Sequence, residues 1–152
     1  MLDAIRSDLI HALHGAPWHG PALADVLDGL TPAAAMARPV EDAHTIAEIV
    51  AHLTVWADAP RRRICGEVVE PTPDEDWPPP AAWPEPLARL DAAHAALLAA
   101  VDGLAEADLQ RVVGRGEGDE SDPYTVAYML RGVVQHVAYH GGQIALLRKA
   151  IG

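Results

Sequence analysis

Residues 133–150, VVQHVAYHGGQIALLRKA, decide how the rest of the chain is read. Their apolar positions recur at intervals of three and four, and the stripe extends back through Leu130 to Val126 and forward to Ile151, the pattern of a long helix with one buried face. Val126, Leu130, Val133, Val137, His140, Ile144, Leu147 and Ile151 share that face, so His140 stands where an aliphatic residue is expected. His136, one turn earlier, flanks the same seam. Taken alone, two histidines four apart on a helix are more often solvent-facing or hydrogen bonded than metal-binding. The seam position shifts that balance, because a buried polar group left unpaired costs about 1–3 kcal/mol and two of them on one core face call for a common partner.

A third histidine fits the same reading. His52 lies in HTIAEIVAHLTVW, residues 44–56, beside a stripe formed by Ile46, Ile49 and Leu53. Thr45 and Glu48, three apart, form a capping box that starts this helix, and Gly66 stops it just after Cys65. Imidazoles from two helices are enough to hold one divalent transition ion, and three neutral ligands leave it a free coordination position, as in catalytic rather than closed structural sites. The His136–His140 pair is not a zinc-peptidase motif: Val137 occupies the position where H-E-x-x-H carries its glutamate base. Glu48, one turn before His52, is a candidate base or hydrogen-bond acceptor, although its capping role is the better supported.

The remaining segments read as two more long helices joined by punctuation. Leu2, Ile5, Leu9 and Leu13 make a first helix that ends near Gly15 and Pro17. Leu23, Val26, Leu27 and Leu30 suggest a short helix, and Thr31-Pro32 opens another brief turn. Residues 66–86 hold seven of the thirteen prolines, which makes them an irregular crossover. Leu87, Leu90, His94, Leu97, Val101 and Leu104 then mark a bundle seam, with His94 read as a hydrogen-bonded core residue rather than a fourth ligand. Asp122 and Pro123 suit the cap and first turn of the last helix. The expected architecture is all-α, one domain over residues 1–152.

Composition excludes several functions. Acidic residues outnumber Lys and Arg by 22 to 11, giving a formal charge of −11, and phosphate binding needs clustered cations, so nucleic acid is not an expected partner. The one basic cluster, Arg61 to Arg63, falls at a helix C-terminus, where cations suit the dipole. Cys65 is the only cysteine and reads as a packing residue; with no intrachain disulfide and no membrane-spanning run, a cytoplasmic protein is expected.

GAPWHGPALADVLDGL near the N-terminus, HTIAEIVAHLTVW with the following RRRICGE, and LRGVVQHVAYHGGQIALLRKA at the end together resemble the DinB/YfiT-like helical metalloproteins over nearly the whole chain. The resemblance implies a four-helix bundle with up-down-down-up connectivity and a metal held by one histidine of the second long helix and two of the fourth, which fall here on His52, His136 and His140. The crossover is long enough for that path: about 20 residues extend to about 66 Å, against about 33 Å for a 22-residue helix. The loop between the first two long helices then caps the metal end, making Trp18, His19 and His44 candidate pocket residues. The resemblance further implies zinc or nickel as the ion, with iron or manganese as alternatives, a homodimer, and transfer of a small-molecule thiol of the bacillithiol or mycothiol type to an electrophile. A non-catalytic metal-binding or stress-response bundle and a metal-dependent hydrolase stand as alternatives. Ala47 stands where the resemblance leads one to expect a bulky aromatic residue, so pocket shape and substrate do not carry over from the family.

Overall fold

The computed structural model describes residues 1–113 and 123–152. Four long helices carry the fold: α1 (Leu2–His14), α4 (Ile46–Ile64), α6 (Glu85–Asp102) and α7 (Val126–Ile151). Between them lie the short helices α2 (Leu23–Leu27), α3 (Pro32–Met36) and α5 (Pro73–Asp76). A 3-10 turn at Glu106–Gln110 and a two-residue hairpin, β1 (Val112–Val113) with β2 (Tyr124–Thr125), complete the described elements.

Local sequence sets the helix ends. Thr45 Oγ1 accepts from the Glu48 amide and the Glu48 carboxylate accepts from the Thr45 amide, so the expected capping box starts α4. At the other end Glu67 N–H donates to the Arg62 carbonyl and Gly66 N–H to that of Arg63, while Gly66 adopts φ +92°. This is a Schellman stop, and a left-handed residue is what it requires. The last helix begins differently from the sequence reading. Thr125, not Asp122, caps α7, accepting from the Tyr128 amide, and Pro123 precedes the β2 strand; Asp122 itself lies outside the described residues. The pairing of Val112 with Thr125 and Val113 with Tyr124 fixes where the helix can begin.

Each long helix packs against two others: α4 against α6 and α7, and α1 against the same two. With Phe absent, the centre is aliphatic, and Leu9, Leu13, Leu53, Leu97, Leu130 and Ile144 are among its fully enclosed side chains. Burying each contributes about 1.5–3 kcal/mol. Polar contacts show which ends adjoin. The Met1 ammonium lies 3.0 Å from Glu106 and Arg6 pairs with Asp102, which sets the start of α1 beside the end of α6. Arg111 Nη2 donates to the Ile64 carbonyl (2.8 Å) and the Val126 amide to the Arg111 carbonyl (3.0 Å), joining the end of α4 to the start of α7.

Three further expectations change. The proline-rich crossover contains one helical turn, α5, because Thr72 and Glu75 form a capping box and Pro73 sits at its first position. Cys65 is exposed rather than packed, since it follows Ile64, the last buried residue of α4. His94 is buried but its Nε2 has no hydrogen-bond partner, so it is not the fully hydrogen-bonded core residue expected. The arginines of the cluster are held within the fold: Arg61 pairs with Asp58, Arg62 with Glu67, and buried Arg63 donates to the Val69 carbonyl.

Candidate metal centre

The α7 stripe is buried as its periodicity requires, and it carries His140 inward at 4% exposure while His136 sits half-buried one turn earlier. Opposite them, α4 turns His52 inward at 5% exposure. The three rings converge, with centroids 4.9 Å apart for His52 and His136, 4.8 Å for His52 and His140, and 4.5 Å for His136 and His140. One nitrogen from each lies within 4.8 Å of the other two.

Hydrogen bonds aim these rings. His52 Nδ1 lies 2.8 Å from the Asp76 carbonyl oxygen and 3.1 Å from its Oδ1, so Nδ1 carries the proton and Nε2 presents a lone pair. His140 Nδ1 donates to Gln143 Oε1 at 2.6 Å, which leaves its Nε2 likewise unprotonated. His136 Nε2 sits 2.9 Å from His52 Nε2; because the latter is an acceptor, the shared proton belongs to His136.

The donor set fits a divalent ion. Three imidazole nitrogens lie within 4.8 Å of one another, the His52 and His136 pair 2.9 Å apart, and an all-nitrogen set of this kind would hold a transition ion. Burial, followed by the neighbouring His140 and His52, pushes the His136 pKa down to about 4. Burial also lowers that of His140, against the opposing hydrogen bond to Gln143. Both are therefore neutral near pH 7, the form that ligates metal.

Aromatic residues cover the centre. Trp77, delivered by the crossover, stacks on His52 at 3.9 Å and 7°, and His44 stacks on the other side of Trp77 at 3.6 Å and 5°. His44, a candidate pocket residue, is exposed and touches Trp77 rather than the three histidines' nitrogens. Trp18 is fully exposed, and His19 lines a separate cavity against Val137 and Gly141, so neither reaches this site. Their loop is held by α2 against α7 instead of folding over the centre. Sequence reasoning missed four contributors: Trp56, Asp76, Trp77 and Gln143. Trp56 Nε1 donates to Asp76 Oδ1, tying the crossover to α4. Glu48 is occupied elsewhere. Burial works to raise its pKa, but the Thr45 amide and Arg38 outweigh that and hold it below the usual range, so it is a cap and ion-pair partner.

A groove of about 370 Å³ opens from the centre between α4 and α7, lined by His52, Trp56, Pro60 and Arg63 on one side and by Gly132 and His136 on the other. Long helices that bring three histidines together beside a groove, two of them oriented through Nδ1, define a helical protein able to hold a metal ion. Residues 18–144 match the sequence profile described as the DinB superfamily, and the chain belongs to that family. No curated protein matches the chain. No helix among the described residues is long and apolar enough to cross a membrane.

Proposed function

We propose that the chain binds one divalent transition ion through His52, His136 and His140 and transfers a low-molecular-weight thiol of the bacillithiol or mycothiol type to an electrophile. The observation that carries this reading is the pairing of three convergent imidazoles with an adjoining groove that contains no protein thiol. Zinc or nickel suits the nitrogen set best, with iron or manganese as alternatives. Bound there, the ion would supply positive charge that acidifies a thiol and a vacant position for its sulfur.

The chain's own residues do the rest. Asp76 and Gln143 hold His52 and His140 in the ligating tautomer, and Trp77 shields the His52 ring from solvent. The groove orients the thiol so that its sulfur attacks the electrophile: the S–C bond forms, the bond to the leaving group breaks, and the leaving group departs with the electron pair. The thiol proton passes to solvent. Cys65 does not serve as nucleophile, since it lies thirteen residues beyond His52, about 20 Å along the helix, and is exposed. Hydrolysis is the weaker reading because Asp76, the carboxylate lining the groove, already accepts at Oδ1 from Trp56 and faces His52 Nδ1. A non-catalytic metal-binding role leaves the groove without a purpose.

We place the protein in the cytoplasm, as a homodimer, with the long helices running up-down-down-up. The adjoining ends of α1 with α6 and of α4 with α7 support that path. The test is transfer of each thiol to a panel of electrophiles by zinc-loaded protein. Turnover that disappears on replacing His52 by Ala supports the proposal, and no turnover with any thiol sinks it.

A further inference from the structure

The groove has two chemically different ends. His52, Trp56, Pro60 and Arg63 follow one another at intervals of four, four and three along α4, so all four face the same way. Eleven residues separate His52 from Arg63, about 16 Å along the helix axis. The metal centre therefore marks one end and a guanidinium marks the other. Between them the walls are apolar: Trp56, Pro60, Met129 and Val133.

Arg63 is unusual for a charged residue in being only 4% exposed. Its Nε and Nη2 donate to the Val69 carbonyl at 2.9 and 2.6 Å, and Nη2 lies 3.4 Å from Glu70 at the rim. These contacts fix the guanidinium plane, and its Cζ stands 5.8 Å from the Trp56 ring centroid. Nη1 has no hydrogen-bond partner among the described residues, yet it is not sealed off, since the enclosed unpartnered side-chain atom among those residues is His94 Nε2. Tyr124 lines the groove at the same end, half-buried, and its hydroxyl makes no hydrogen bond among the described residues. An immobilised guanidinium edge beside a phenol is a site for a carboxylate, because a charge-assisted hydrogen bond to an already ordered donor needs little further ordering.

Resting on the reading above, we propose that the thiol used by this protein carries a carboxylate, with its sulfur end at the three histidines and its carboxylate on Arg63, which acts as the specificity-determining residue. The acidic surface makes the groove the favoured place for such a ligand: Arg63 is a buried cation in a chain of net charge −11. Gly132 leaves the opposite wall low, and a Cβ added there would meet nothing within 4 Å. That space is what an elongated chain passing from one end to the other requires.

The probes are mercaptohexanoate with a terminal thiol and its methyl ester, titrated calorimetrically into zinc-loaded protein. The acid should bind on the order of tenfold more tightly than the ester, the size of one charge-assisted hydrogen bond. Arg63→Met should remove the difference while leaving the ester's affinity unchanged. Gly132→Leu, whose added Cβ meets no protein atom within 4 Å at a position that lines the groove, should weaken both ligands and leave the zinc content intact. Equal binding of acid and ester to the wild type overturns the inference, whether or not Arg63→Met folds, and leaves the metal-thiol reading standing. Undiminished binding of both to Gly132→Leu overturns it too. An acid preference that depends on Arg63 but is indifferent to zinc upholds the carboxylate site and counts against the sulfur's place at the histidines.

Discussion

Replacing His94 by Leu should stabilise the protein and flatten its response to acid. His94 is 2% exposed on α6, its Nε2 has no partner, and burial, reinforced by nearby His14, pushes its pKa down to about 4 from an ordinary 6.5. Near pH 7.5 the imidazole is neutral in both folded and unfolded chains, so the gain is the removal of one unsatisfied buried polar group, about 1–3 kcal/mol. On acidification the unfolded chain takes up the proton first, because the folded value is the lower one; stability falls as pH drops from about 6.5 and the loss is complete below about 4. A displacement of about 2.5 units corresponds to about 3 kcal/mol in full, of which about 2 kcal/mol is already lost near pH 5. His136 and His140 also have lowered values and contribute to the acid response of both proteins, so the difference between wild type and variant isolates His94. Urea denaturation in the presence of a chelator, at about pH 7.5 and about pH 5, measures it. The stability gap should widen by about 2 kcal/mol at the lower pH. A gap that stays constant, or a variant less stable than wild type at both values, would refute the reasoning.

Asp76→Ala should weaken zinc binding by about tenfold, the low end for loss of an outer hydrogen-bond partner, because the Asp76 backbone carbonyl still faces His52 Nδ1; competition against a chelator reads this, and unchanged affinity would show that the carboxylate does not orient His52. Cys65→Ala should leave thiol transfer intact, given the exposed position of Cys65 at the end of α4. A dead variant would transfer the nucleophile's role to the protein.

The helical parts of the fold were legible because their determinants are local. The Thr45–Glu48 box and the Gly66 stop depend on residues within two turns, and the α7 stripe repeats one period along a single helix. The histidines are legible for the same reason: His140 stands on a periodic apolar face, where a polar residue is conspicuous, and His52 and His136 border such faces. What escaped lies off that periodicity. Asp76 and Trp77 arrive through a proline-rich crossover, where no pattern tells which side chain will turn back onto α4. Trp56 and Gln143 were within reach, standing four residues after His52 and three after His140, spacings that put them on the same helix faces. Trp18 is fully exposed, because the bundle end that a loop caps does not fix which way its side chains face. The two-residue hairpin before α7 is too short to leave a signal, so Asp122-Pro123 looked like the helix start.

His52, His136 and His140 together should hold one ion per chain. The metal content of tag-free protein by mass spectrometry, after zinc loading and desalting, for wild type and His140→Ala, decides it. One ion per chain in the wild type and none retained by the variant is the expected result. Equal stoichiometry in the two would contradict the account.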